Sequence, residues 1–168
     1  AGKSKWRKFT NLNKNSIGIE LVNRGHRYGY QKFSKKQIHV LIKICLYLKK
    51  KYRIDSSNIL GHSDIAPNRK QDPGEKFPWG MLGKRGLGIW YKPTKSKFFE
   101  KNEKKIFKSF FKNLSNIGYR YFDSSKRTKN NIYVVKAFQR RFLPKNITGK
   151  IDQKTYIISH ILAKKYKN

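Results

Sequence analysis

The apolar positions of this chain follow two rhythms, one suited to buried strands and one to amphipathic helices. Ser16-Ile17-Gly18-Ile19-Glu20-Leu21-Val22 is a short run rich in branched side chains, which predicts a buried strand. A loop of glycine and aromatic residues follows over residues 23–30. Ser34-Lys35-Lys36-Gln37 then has the form of a capping box, and Ile38, Leu41, Ile42, Cys45, Leu48 and Tyr52 recur at intervals of three and four, so a helix is expected to run to about Arg53. Asn58-Ile59-Leu60-Gly61-His62 reads as a second short strand that opens into a loop. The order strand, helix, strand predicts an α/β layer rather than a helical bundle.

Beyond residue 73 the pattern changes. Residues 73–94 are dense in Gly and Pro and carry Trp79, Met81, Leu82, Leu87, Ile89 and Trp90, which predicts an irregular segment with one short helical turn pinned by its aromatics. Three helical stripes follow: Ile106, Phe110, Leu114 and Ile117; Ile132, Val135, Phe138 and Phe142; and Ile157 or Ile158 with Ile161 and Leu162, the last helix capped by Asp152. Helices this short bury their apolar faces only against one another, so residues 95–168 are expected to form a three-helix module behind an α/β domain at residues 1–94.

Composition narrows the class. Hydrophobic residues at 37% and aromatics at 14% are too abundant for a disordered basic tail. Against this stands an excess of 41 Lys+Arg over 9 Asp+Glu, a formal net charge of +32. Such a field attracts nucleic acid, anionic lipid and anionic wall polymers alike, and the abundance of Lys, Asn and Ile also fits AT-rich codons, so charge by itself selects no partner. The single cysteine, Cys45, excludes an internal disulfide framework and a Cys-based zinc site, and its place on the helical stripe makes it a structural thiol. No apolar run is long enough to cross a membrane. The opening Ala1-Gly2-Lys3-Ser4-Lys5-Trp6 contains neither an initiator Met nor a signal-peptide core, and a processed or truncated start is expected.

Candidate chemistry concentrates in Gly61-His62-Ser63-Asp64-Ile65-Ala66-Pro67-Asn68-Arg69-Lys70-Gln71-Asp72-Pro73-Gly74. His62 and Asp72 lie ten positions apart across a Pro-containing loop that can fold back and bring an imidazole and a carboxylate together. Zinc accepts both donor types, although spacing alone leaves a surface hydrogen-bond pair as the commoner outcome. Glu20 interrupts an apolar run in a chain with few acids. Asp64 is placed to order the loop by capping or turn hydrogen bonds. His26 lies in the loop after the first strand, whereas His39 faces away from the helical stripe and His160 belongs to the far module.

Taken together, the run from Ser16 to Asn23, the Gly61-His62-Ser63-Asp64-Ile65-Ala66-Pro67 block with Arg69-Lys70 and Asp72-Pro73-Gly74, Phe77-Pro78-Trp79, and Gly86-Leu87-Gly88-Ile89-Trp90-Tyr91 resemble the zinc-dependent N-acetylmuramoyl-L-alanine amidases, which include peptidoglycan recognition proteins. The resemblance covers about half the chain. It implies a mixed sheet flanked by helices, a Zn2+ cofactor held in part by His62 and Asp72, Glu20 as general base, and Lys70 facing the developing oxyanion; the place of His26 just after that base makes it a candidate substrate contact, with a plain surface-loop histidine as the commoner alternative. Family members supply a third ligand from an early strand and a further histidine in a W-H-A-G stretch; the resemblance therefore implies a chain that opens just after that histidine. Val135-Lys136-Ala137-Phe138-Gln139-Arg140-Arg141-Phe142 and Thr148-Gly149-Lys150-Ile151-Asp152 with Thr155 are similar to a helical peptidoglycan-binding domain, whose marks here mainly build the fold.

The implied activity is hydrolysis of the bond between N-acetylmuramic acid and L-alanine, with peptidoglycan or muropeptide fragments as partners, in the periplasm or cell envelope with the cytoplasm as the alternative, by a monomer. A non-catalytic peptidoglycan binder or an inactive amidase fragment is the alternative if the third ligand is absent. A nucleic-acid binder accounts for the charge and for none of the motifs.

Overall fold

The computed structural model describes residues 4–92 and 100–166. It opens with a hairpin of two-residue strands, β1 (Lys5–Trp6) and β2 (Phe9–Thr10), paired antiparallel with Trp6 opposite Phe9. Helices α1 (Lys35–Lys51), α2 (His62–Ile65), α3 (Trp79–Lys84), α4 (Glu103–Ile117), α5 (Lys129–Phe142) and α6 (Gln153–Lys165) follow, with single 3-10 turns at His26–Tyr28 and Ser56–Asn58. The chain is thus helix-rich with one small sheet.

The long helices start where local chemistry dictates. Ser34, Asn102, Thr128 and Asp152 each stand at an N-cap, with a side-chain oxygen accepting an amide N–H three residues on. Each cap supplies a partner to one of the amides left bare in a helix's first turn, a contribution of about 1 kcal/mol. The predicted stripe of α1 is only half realised: Ile38 and Leu41 are buried, Ile42, Cys45 and Leu48 are partly covered, and Tyr52 is exposed just past the helix end. The Cys45 thiol is held above its usual pKa by partial burial.

The expected mixed sheet is not formed among the described residues. Residues 16–20 are extended and exposed, Val22 is 88% exposed, and residues 17–21 make no backbone hydrogen bond within the described chain. An extended segment becomes a strand only when a neighbour offers a ladder of N–H and C=O groups, and no described segment lies alongside. The second predicted strand instead begins as the Ser56–Asn58 turn, capped by the Asp55 carboxylate, and continues unpaired through Ile59 and Leu60.

Two apolar clusters hold the molecule together. The smaller joins Ile38 and Leu41 of α1 to Phe77, Trp79, Leu82 and Leu87, as the Gly- and Pro-rich composition of that segment predicts. The larger is built on Phe110, Phe111, Leu114, Ile117, Val134, Val135, Phe138, Phe142, Ile158 and Leu162, so all three predicted C-terminal helices exist and pack on one another. Ile132 is the exception in its stripe: it is 47% exposed, because the face of α5 that turns inward runs through Asn131, Val134, Phe138 and Arg141. Trp6, Leu12 and Ile89 belong to the same cluster. The expected boundary near residue 94 lies outside the described residues.

Trp6 ties the hairpin to the helices. Its ring meets Tyr119 edge-on at 5.0 Å, its Nε1 donates to the Ser57 carbonyl at 3.1 Å, and it closes over Gly118, where a β-carbon would lie 2.5 Å from the indole. Arg7 adds donations from Nε to Ile117 O and from Nη2 to Tyr166 O.

Candidate active site

Helix α2 is a single turn, and what shapes it is the side chain of Asp64. One carboxylate oxygen accepts the Gly61 N–H at 2.9 Å, closing the turn that presents His62. The same oxygen pairs with Arg141 Nη1 of α5 at 2.5 Å, and the other accepts the Tyr119 hydroxyl at 2.6 Å. Asp64, Arg141 and Tyr119 are all at most 2% exposed. Arg141 also lies over the Trp79 ring at 3.9 Å and donates from Nη2 to the Ile59 carbonyl. Burial, with the adjacent Asp64 charge, pushes the Tyr119 hydroxyl well above its usual pKa, so it stays a donor. Gly88, at φ 89°, is required beside this network, since a β-carbon there would lie 2.7 Å from Arg141 Nη2.

On the solvent side of the loop, the expected convergence is present. His62 Nδ1 and Asp72 Oδ2 are 2.7 Å apart, with side chains 41% and 56% exposed. An exposed pair contributes about 0–1 kcal/mol to stability, so it does little to hold the fold. The loop between them is braced from within: Ser63 N donates to Asp72 O, and Arg69 N and Lys70 N both donate to Ala66 O. An imidazole nitrogen and a carboxylate oxygen within contact at a solvent-open edge are suited to share a zinc ion. Among the described residues, however, no group of three His, Cys, Asp or Glu side chains is close enough to hold a metal.

The remaining expected residues are arranged less tightly. Glu20 stands on the exposed extended segment and forms no hydrogen bond or ion pair among the described residues. Lys70 is half-buried on the loop itself. His26 is drawn to the Asp72 side: its Nε2 pairs with Glu75 Oε2 at 2.9 Å and its ring stacks on Tyr30 at 4.4 Å. Tyr30 in turn donates to the Pro73 carbonyl at 2.7 Å and accepts the Lys76 N–H, and burial pushes its hydroxyl up to about 12. Gly74, at φ 85°, lets these rings close in, because a β-carbon would lie 2.5 Å from the Tyr30 oxygen. His39 and His160 are both exposed.

Glu75 joins this cluster to α5 through Arg140, whose Nε lies 3.7 Å from its carboxylate. Burial raises the Glu75 pKa, but the His26 hydrogen bond, its own backbone N–H and the charges of His26 and Arg140 outweigh that and leave it lowered. A lowered folded-state pKa means the carboxylate's contribution is complete above its unfolded value of about 4.3 and is lost as pH falls through the folded value. Carbon-detected NMR titration is therefore expected to give Glu75 a lower midpoint in the folded protein than in the urea-unfolded chain; an equal or higher midpoint would contradict the contact.

Tyr119, Tyr30 and Glu75 lie outside the quoted motifs, and Arg140 and Arg141 were quoted only within the C-terminal helical stretch, with no role at the loop. One signal was present: Arg141 falls three positions after Phe138 and seven after Val134, on the apolar face of α5, where a charge requires a buried partner.

A family model described as N-acetylmuramoyl-L-alanine amidase matches residues 1–75, the span that carries the His62–Asp72 loop. The N-acetylmuramoyl-L-alanine amidase AmiD of Escherichia coli is 35% identical over 176 residues, covering 99% of this chain and 63% of that protein. A solved structure of E. coli AmiD, in complex with the substrate anhydro-N-acetylmuramic acid-L-Ala-D-gamma-Glu-L-Lys, superposes with a TM-score of 0.83 at 33% identity, over 98% of this chain and 67% of that one. The chain belongs to the N-acetylmuramoyl-L-alanine amidase family. The 1,6-anhydro-N-acetylmuramyl-L-alanine amidase AmpD of Enterobacter cloacae shares 38% identity over 82 residues, 49% of this chain and 42% of that protein. AmpDH3 of Pseudomonas aeruginosa, solved in complex with anhydromuramic pentapeptide, matches at a TM-score of 0.82 and 29% identity over 100% of this chain and 69% of that one.

The amidase likeness extends through α4, α5 and α6, since the AmiD and AmpDH3 superpositions take in nearly the whole chain. The chain spans less than two thirds of the length of the curated relatives it matches. No helix among the described residues is long and apolar enough to cross a membrane.

Proposed function

We propose that the protein is a peptidoglycan hydrolase of the cell envelope that cleaves the amide bond between N-acetylmuramic acid and the L-alanine of the stem peptide. The observation that carries this reading is the 2.7 Å approach of His62 and Asp72 on a loop whose sequence matches the amidase family. These two side chains would hold Zn2+, with a third protein donor from outside the described residues. When bound, the ion lowers the pKa of water toward about 7 and polarises the scissile carbonyl.

The chain's own residues take the remaining roles. Glu20 is the general base, accepting a proton from the attacking water on its carboxylate and returning it to the leaving amine. Lys70 offsets the negative charge that grows on the amide oxygen, an interaction that matters only in the transition state. His26, held toward the Asp72 side by Glu75 and Tyr30, contacts the substrate. Residues 1–94 carry this chemistry, and residues 95–168 form a three-helix, peptidoglycan-binding-like module in a monomeric protein.

Incubation with a muropeptide in the presence of zinc is expected to release intact stem peptide with a free L-alanine amine, detected by mass spectrometry, and His62→Ala or Asp72→Ala to reduce release to background. Unchanged muropeptide at saturating zinc would reject the hydrolase reading. The second reading is a non-catalytic peptidoglycan binder. It predicts retention of the muropeptide without turnover.

A further inference from the structure

We infer that Arg141 and Arg140 of α5 are positioning residues for the metal-ligand loop, so that the C-terminal helices set the geometry of His62 and Asp72 rather than serving only to bind the wall. This rests on the reading of His62 and Asp72 as zinc donors. The two arginines are adjacent in sequence, and the helical rotation between them sends their side chains to opposite ends of the loop. Arg141 takes the His62 end. It holds the Asp64 carboxylate that in turn accepts the Gly61 N–H, and it holds the Ile59 carbonyl three residues before His62. Arg140 takes the Asp72 end, with Nη2 donating to Gln71 Oε1 at 3.5 Å and Nε facing Glu75 at 3.7 Å. Tyr119, just beyond α4, adds a second bond to Asp64.

Both guanidiniums are buried, which is an expensive way to hold a fold together. An apolar set of the same volume stabilises as well or better, so the ionic network contributes direction more than strength. Direction is what a ligand loop needs, because two donors must be held to about 0.5 Å to share one ion. Groups that orient metal ligands through an intermediary typically change metal affinity by about 10–100-fold when removed.

The test compares the wild type with Asp64→Asn/Arg141→Met, which removes both buried charges, with Arg141→Lys, and with Arg140→Gln. Three quantities are read: zinc affinity by competition titration, backbone order parameters of residues 61–75 and the His62 ring resonances by NMR, and helix content by circular dichroism. The double variant is expected to keep wild-type helix content, to bind zinc at least about 10-fold more weakly, and to show order parameters around His62 falling from about 0.85 toward 0.6. Arg141→Lys is expected to recover part of that loss, and Arg140→Gln to loosen residues 71–75 alone. A folded double variant with unchanged loop order and His62 resonances would overturn the inference. So would an Arg140→Gln variant that leaves residues 71–75 as ordered as in the wild type, which decides the matter should the double variant not fold. If the wild type itself takes up no zinc, the metal reading fails, and the NMR comparison alone decides whether α5 positions the loop.

Discussion

Replacing Asp64 with alanine is expected to destabilise the protein by about 3–5 kcal/mol, because it leaves the Arg141 guanidinium buried without its counter-charge. Arg141 is 2% exposed, its Nε already lacks a hydrogen-bond partner among the described residues, and its surroundings include the Trp79 and Phe142 rings. Water therefore has no easy route to the stranded charge. Tyr119 would lose the acceptor for its hydroxyl at the same time, and the Gly61 N–H its partner, so two buried donors are left unsatisfied as well. The companion variant Asp64→Ala/Arg141→Met removes the charge along with its partner and is expected to regain more than half of the loss. Urea denaturation of the two variants measures both quantities. A loss below about 1 kcal/mol in the single variant would show that the network is wetter and looser than described.

Trp6→Ala is the second large effect, about 3–5 kcal/mol, the range for truncating a large buried aromatic side chain. The indole is 1% exposed and fills the space between the hairpin, the turn at Ser56–Asn58 and the end of α4. Trp6→Phe keeps a ring in that space but removes the Nε1 donor to the Ser57 carbonyl, so a smaller loss of about 1–3 kcal/mol is expected for it. The sites involved are far apart in sequence, Trp6 and Ser57 by 51 residues and Arg7 and Tyr166 by 159. Hydrogen exchange should accordingly show the hairpin and the C-terminal end of α4 opening together in Trp6→Ala. If the hairpin amides alone lose protection, the clasp does not couple the two ends of the chain.

The parts of the site that depend on local chemistry were legible in the residues. Ser34 and Asp152 each stood where a helix had to begin, and each caps one. The ten-residue separation of His62 and Asp72 was short enough for one loop to close, and it does. The strand at residues 16–22 illustrates the opposite case. Its composition is right for a buried strand, yet strand character is a property of a pair, and among the described residues nothing pairs with it. Glu20 inherits that condition, since its carboxylate rides on a segment that no described strand pairs with.

Periodicity reports which positions share a face and how a helix starts, because both follow from neighbours three or four residues away. In this protein that was enough for the approximate places of α1, α3, α4, α5 and α6 and for the aromatic core of α4 and α5, whereas α2 forms where a strand opening into a loop was expected. It did not reveal that Ile132 would face water, nor that Asp64 would find its partners 55 and 77 residues downstream. Those outcomes belong to the tertiary structure alone. A buried charge takes its meaning from whichever counter-charge packing brings within contact, and contacts across such separations depend on how whole helices dock rather than on any local rule.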